Sequence, residues 1–226
     1  MSRPDASVIV PTLNEADILE RNLAIVVESG AEVIVSDGGS SDRTVAVATA
    51  LGVRVVTGSA GRGPQLNRGA AAATSDTFVF LHADTVLPER WPESVDRALS
   101  GGAVGGGFLV RFGSARPVFR LGSRIVNLRT RWSRSPLGDQ AQFANRVAFE
   151  KTGGFPDWPI LEDLEFIRRL KRLGRIAVLG PPATTSARRF EERGITRTIV
   201  VNWMIFALYF AGASPERLVR LYDNPR

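Results

Sequence analysis

Three polar clusters in this 226-residue chain carry side chains suited to gripping a phosphorylated ligand or moving a proton. They are Pro11-Thr12-Leu13-Asn14-Glu15, Asp37-Gly38-Gly39-Ser40-Ser41-Asp42 and His82-Ala83-Asp84, and each follows a short apolar run. His82 and Asp84 are two apart, so on a continuing strand they point to the same side. There they could hold a divalent cation between protein and diphosphate. A hard cation prefers the Asp84 carboxylate to imidazole. The plainer alternative is a satisfied histidine beside a turn aspartate, just as Asn14, Ser41 and Asp42 would also suit helix capping. Further along, Glu162 and Asp163 open a helical pattern with an apolar stripe of Ile160, Leu164, Ile167, Leu170 and Leu173. Glu165 has Arg168 and Arg169 at helical spacing. Neither Glu162 nor Asp163 has a base three or four positions ahead, which makes both candidate general bases. Acidic residues at a helix start also suit the macrodipole. Arg188-Arg189 could clamp a diphosphate or lie as solvated surface.

Composition removes other chemistries. There is no cysteine, which excludes disulfides, thiolate metal sites and cysteine nucleophiles. His82 is the one histidine, so a multi-histidine metal site is impossible. Gly61-Arg62-Gly63 begins like a dinucleotide fingerprint, but Leu66 stands where the third glycine belongs. No glycine-rich segment ends in Gly-Lys-Ser/Thr, so a P-loop is absent as well. The net charge is +6, and of 29 basic residues two are lysine (29 − 2 = 27 arginines). Arginine's planar fork suits phosphates and carboxylates, which allows an anionic partner.

The elements that must position these residues are legible in the first half. Ser7–Val10, Glu32–Ser36, Arg54–Val56 and Thr77–Leu81 read as strands alternating with helical patterns, including Arg43–Leu51 and Gln65–Ala73. Strand–helix units of this length imply an α/β fold with a mainly parallel sheet flanked by helices. Ligands of such sheets bind beyond the carboxyl ends of the strands, where all three polar clusters fall.

Beyond residue 100 the rhythm changes to a mixed half. Gly101–Phe112 reads as one long strand, Pro117–Trp132 as an arginine-studded amphipathic helix, and Leu161–Leu173 as a helix. Arg175–Leu179 reads as a strand stopped by Pro181 and Pro182. Thr196–Ala211 forms an apolar helix with little polar face, which implies burial. Packing on the domain, a homodimer interface and a dip into the membrane remain open for it. Ile199–Gly212, the most apolar stretch, has 14 residues where a membrane span needs roughly 20. With no signal-peptide pattern at its start, the chain reads as cytoplasmic. One domain over 1–226 is expected, with halves at about 1–112 and 113–226.

These clusters, in this order, resemble the family 2 glycosyltransferases of the GT-A fold. The matching segments are Ser7 to Glu15, Val35 to Thr44, Phe80 to Asp84, and Gly153-Gly154-Phe155 followed by Glu162-Asp163. Gly138-Asp139-Gln140 and Ser186 to Phe190 are similar to a small bacterial subgroup, the rSAM/selenodomain-associated transferases. The resemblance implies that Pro11, Thr12, Asn14, Glu15 and Asp37 line a nucleotide pocket, with Arg62 and Asn67 reaching the nucleotide. It also implies that Ala83 and Asp84 belong to the donor site, that Asp84 with His82 binds Mg2+ or Mn2+, and that Asp163, beside Glu162, is the catalytic base. His82 departs from the family pattern, where an aspartate is usual. Arg188 and Arg189 loosely match a phosphate-contacting arginine. The implied reaction is inverting transfer of a sugar from a nucleotide-diphosphate sugar, UDP favoured and GDP second, to an unknown hydroxyl acceptor. A lipid-linked acceptor, peripheral contact with the inner face of the membrane and a homodimer stay open, and no nucleic-acid partner is expected. Two rivals are a sugar-phosphate nucleotidyltransferase, which lacks its glycine-rich loop here, and a silent nucleic-acid- or membrane-binding module.

Overall fold

The β-branched runs of the first half become parallel strands in this computed structural model, which describes residues 5–221 without the side chain of Arg189. In chain order they are β1 (Ser7–Thr12), α1 (Ala16–Glu28), β2 (Glu32–Asp37), α2 (Thr44–Ala50), β3 (Arg54–Thr57), α3 (Arg62–Ala72) and β4 (Thr77–Phe80). β1 lies between β2 and β4, with Ser7 level with Glu32 on one side and Phe78 on the other. Alternate residues of β1 serve opposite faces. Val8 and Val10 pack with Leu19 and Leu23 of α1, while Ile9 packs with Leu66 and Ala70 of α3. A strand buried on both faces explains the continuous apolar run.

The chain continues with β5 (Thr85–Val86), α4 (Trp91–Ser100), β6 (Ala103–Phe112), α5 (Pro117–Ser133), β7 (Gln142–Asn145), α6 (Arg146–Thr152), α7 (Glu162–Leu173) and β8 (Arg175–Thr185). It ends with α8 (Arg188–Arg193), α9 (Ile195–Phe210) and α10 (Pro215–Leu218). All strands join one sheet in the order β3-β2-β1-β4-β7-β6-β8-β5. β7 is antiparallel to both β4 and β6 and so couples the parallel half to the mixed half. Its four residues carry too short a pattern to read from sequence. Beneath it, Phe80, Phe149, Phe155 and Phe166 pack edge-on or stacked, Phe155 and Phe166 with centroids 4.2 Å apart. That cluster fixes α7, which carries Asp163, against β4.

Several expectations need correction. α3 begins at Arg62, three residues ahead of the helix expected from Gln65, so Arg62 opens a helix. β8 runs through Pro181 and Pro182 to Thr185. Opposite it, β6 pairs Phe108 with Leu179 and then Val110 with Ala183, so the prolines sit in a bulge that asks for no ladder N–H. Leu173 ends α7 40% exposed, outside the buried stripe of Leu164, Ile167 and Leu170. Packing on the domain does not cover α9: Trp203 and Phe210 are 66% and 67% exposed, and its covered side is narrow. Among the described residues no helix is long and apolar enough to cross a membrane.

Candidate active site

The site is built on the carboxyl edge of the sheet, where two walls meet. On the first wall, β1 and β2 end side by side at Thr12 and Asp37. The Asp37 carboxylate accepts from Thr12 Oγ1 (3.1 Å), Ser40 Oγ (2.5 Å) and the amides of Gly39 and Ser40 (both 2.8 Å). Burial pushes this carboxyl up, but those donors outweigh burial and hold it below the usual aspartate range. Asn14, in the left-handed region at φ 56°, accepts from the amides of Ser41 (2.9 Å) and Asp42 (3.3 Å). Gln65 Nε2 donates to the carbonyls of Thr12 and Ser36, both at 2.8 Å, tying α3 to the ends of both strands.

The second wall comes from distant segments. The Ala83 carbonyl accepts from buried Asn22 of α1 at 2.7 Å, and the Asp84 carbonyl accepts from the Ser186 amide at 3.1 Å. The His82–Asp84 loop is therefore held from two sides. The Gly138–Gln140 turn approaches it. Buried Gln140 anchors that turn through Phe108 O (2.9 Å) and Thr130 Oγ1 (3.0 Å). A Cβ on Gly138 would come within 2.6 Å of His82 Nε2 and 3.2 Å of Asp163 Oδ2, so any larger residue would close the gap between them. The Gly138 amide donates to Asp163 Oδ2 at 2.6 Å, and the Leu164 amide to Oδ1 at 2.7 Å. Leu161 (φ 64°) turns the chain sharply into α7, and Ala141 (φ 44°) turns it out of the Gly138–Gln140 segment. Such left-handed positions in non-glycine residues cost on the order of 1 kcal/mol or more each and persist where surroundings enforce them.

Two adjoining cavities result. One, of about 220 Å³, is lined by Arg62, His82, Asp84, Asp139, Leu161 and Asp163 among others. The other, of about 70 Å³, is lined by Pro11, Thr12, Glu15, Gln65 and Ala83 and shares Arg62, His82 and Asp84 with the first. A larger groove of about 1250 Å³ lies at the amino ends of the strands and shares no lining residue with either cavity.

Electrostatically the first cavity has more negative charge than it can settle. Burial pushes the Asp139 carboxyl up to about 6; Arg129 pulls it back, and Asp163 and Asp84 add to the rise. Burial likewise raises Glu162, against the pull of Arg62. Hard carboxylate oxygens beside one imidazole fit a divalent cation of the Mg2+ or Mn2+ kind. Among the described residues no three acidic or histidine side chains converge to hold an ion by themselves. Such an ion would need further oxygens, which a diphosphate supplies.

The structure thus brings Pro11, Thr12, Glu15, Arg62, His82, Ala83, Asp84 and Asp163 to one region. Other expected residues stand back. Asn14 and Asp37 shape the loop behind the first wall. Asn67 spends both ends of its amide on Phe155, donating to its carbonyl (2.8 Å) and accepting from its amide (2.9 Å). Glu162 is not the unpaired carboxylate that helical spacing implies: it is 1% exposed and pairs with Arg62 at 2.9 Å, a partner 100 residues away. Arg188 reaches Glu15 at 3.9 Å and Glu192 at 3.8 Å; the Arg189 side chain lies outside the described residues. Asp139, quoted from the sequence only within the Gly138-Asp139-Gln140 likeness, is a cavity carboxyl that carried no expected role. Its flanking Gly138 and Gln140, one for clearance and one for anchorage, were the available signal.

A mixed sheet curled around a polar carboxyl edge, with helices on both faces, defines a GT-A-type fold. Residues 7–155 match the family model for glycosyl transferase family 2, and the chain belongs to that family. Among solved structures, the mannosyltransferase PcManGT from Pyrobaculum calidifontis, in complex with GDP-Man and Mn2+, is 22% identical with TM-score 0.66. The match covers 97% of this chain and 68% of that one. Glucosyl-3-phosphoglycerate synthase from Mycobacterium tuberculosis, with Mn2+ and UDP-glucose, is 25% identical with TM-score 0.54, covering 80% and 69%. TarS 1-349 of S. aureus in complex with UDP is 18% identical with TM-score 0.59, covering 80% of this chain and 60% of that chain. A curated relative, a TPR repeat-containing protein of Synechococcus elongatus, is 40% identical over 87 residues. There the match covers 35% of this chain and 21% of the relative, so the chain spans only a small part of that protein.

Proposed function

We propose that this chain moves a sugar from a nucleotide-diphosphate sugar to an acceptor hydroxyl with inversion at the anomeric carbon. The observation that carries this reading is the single cavity where Asp163, Asp84, His82 and Arg62 meet at the carboxyl edge of the sheet. Relatives that bind UDP, UDP-glucose with Mn2+ and GDP-Man with Mn2+ support a nucleotide-diphosphate donor, uridine first and guanosine second. The half at about 1–112 takes the nucleotide along Pro11, Thr12, Glu15 and Ala83. The half at about 113–226 brings the acceptor and the base.

Asp84 with His82 would hold Mg2+ or Mn2+, which when bound offsets the negative charge gathering on the departing diphosphate. Arg62, on the wall between the cavities, adds a fixed positive charge to the same end, and Glu162 positions it. Asp163 accepts the proton of the acceptor hydroxyl as that oxygen bonds to the anomeric carbon. The bond from that carbon to the diphosphate oxygen breaks, and its electron pair leaves with the nucleoside diphosphate. Amide donors on both Asp163 oxygens hold the carboxylate still while each oxygen keeps room for the proton.

The test is Asp163→Asn, followed by nucleoside-diphosphate release from donor sugar and by nucleotide binding. Turnover should fall about a hundred- to ten-thousand-fold, with nucleotide affinity little changed. Retained turnover would rule out Asp163 as the base.

A further inference from the structure

Two helices leave wide apolar surfaces open. On α5, Val118, Leu121, Ile125, Leu128 and Trp132 are exposed, from 39% at Val118 to 88% at Trp132. At 3.6 residues per turn they form one stripe, opposite the buried residues Phe119, Ser123 and Thr130. The inward side is fastened by polar side chains: Asn127 exchanges two hydrogen bonds with the backbone of Val110, and Ser123 Oγ accepts from the Phe112 amide. This amphipathic helix therefore turns its apolar side outward. On α9, Ile199, Val200, Trp203, Met204 and Phe210 are likewise exposed, while Thr198 and Ile205 face in.

The two helices begin near one another. Phe119 of α5 and Phe190 of α8 pack with Phe112, at centroid distances of 5.9 and 5.3 Å, and Ile195 at the start of α9 joins them. Phe112 and Phe190 also line the cavity that holds Asp163, together with Ile205 and Phe206 of α9. Along both helices the charge has one sign, while Glu191 and Glu192 of α8 and Glu216 of α10 are exposed acids on the elements next to α9. Between residues 115 and 138 stand Arg116, Arg120, Arg124, Arg129, Arg131 and Arg134 with no acid, and α9 has Arg197 with no acid. Arg120, Arg124 and Arg131 are exposed and border the α5 stripe along one side.

We propose that α5 and α9 together dock on an anionic phospholipid bilayer, so that the cavity opens at the membrane and takes its hydroxyl acceptor from a lipid carrier. The identity of the acceptor rests on the transfer reading above; the docking does not. A second copy is a poor occupant of α5, because a two-fold interface there sets the same patch against itself and brings its acid-free arginine row onto its own copy. Anionic headgroups complement that row, while Trp132 and Trp203 suit the interfacial layer.

The test is co-sedimentation of the full chain, without nucleotide, with vesicles of phosphatidylcholine alone or mixed with phosphatidylglycerol. Binding should require phosphatidylglycerol and weaken as salt rises. Leu128→Ser with Trp132→Ser, and separately Arg120→Glu with Arg124→Glu, should each weaken it about tenfold or more. All four positions are exposed, so thermal melting and nucleotide affinity should hold, which separates failure of docking from failure of the transfer site. Absence of vesicle binding, or equal binding to neutral vesicles at all salt concentrations, would overturn the proposal. So would a dimer in vesicle-free buffer, seen by sedimentation velocity and dispersed by the same substitutions, since a second copy would then occupy the surface.

Discussion

Asp37 and Asp139 stand on different walls of the cleft and in opposite chemical circumstances. Asp37 accepts from Thr12, Gly39 and Ser40, donors that overcome burial and hold its carboxyl below the ordinary range. Asp139 has Arg129 as its counter-charge and Asp163 and Asp84 as like-charged neighbours, and burial lifts it to about 6. The first wall is a finished structure whose polar groups satisfy one another. The second holds a carboxyl, Asp139, that burial foremost and its acidic neighbours next make costly to ionise. In the proposed reaction the first wall takes the nucleotide and the second carries the base.

The comparison can be broken by substitution. The largest effect on stability is expected at Glu162, where α7 joins the first wall. Glu162→Ala removes one partner of Arg62 and empties a buried position, at a cost of about 3 kcal/mol in denaturant unfolding. An unchanged midpoint would mean that the Arg62 pair does not tie the walls together.

Next come the two aspartates, with opposite signs. Asp37→Asn turns an NH2 group towards amide donors and should cost about 2 kcal/mol at neutral pH. The native carboxylate's contribution is present above the unfolded aspartate range, near 4, and disappears as pH falls through its lower folded value, so the mutant's deficit should vanish in strong acid. Asp139 behaves in reverse. Its folded value of about 6 exceeds the unfolded one, so its burden is absent below pH of about 4, grows as pH rises to about 6, and stays above that. Asp139→Asn should therefore stabilise the chain at neutral pH, by on the order of 1–2 kcal/mol, and flatten that part of the pH–stability curve. Destabilisation by Asp139→Asn at neutral pH would show that the second wall is as settled as the first.

How much was legible in the sequence follows the same division. The first wall is partly local: Asp37 and Ser40 are three residues apart, and Thr12 meets Asp37 where two adjacent parallel strands end level. Its segments could be placed from their spacing. The second wall is made of long-range meetings, Gly138 with Asp163, Arg62 with Glu162, Asn67 with Phe155, and no helical or strand period encodes them. Helical spacing left Glu162 unpaired because its partner lies in α3. Pro181 and Pro182 pointed to the end of a strand, yet a bulge carries β8 past them to Thr185, next to the Asp84 loop. The apolar run of α9 implied burial, since composition fixes what a helix carries and leaves open which way it faces.

Whether both walls serve one nucleotide-diphosphate site is decided by calorimetric titration with UDP and GDP, each with and without Mn2+. One nucleotide should bind tightly, binding should need the metal, and Asp84→Ala should remove it without unfolding the chain. Failure of both nucleotides to bind with Mn2+ present, or tight binding indifferent to both the metal and Asp84→Ala, would contradict a single shared site.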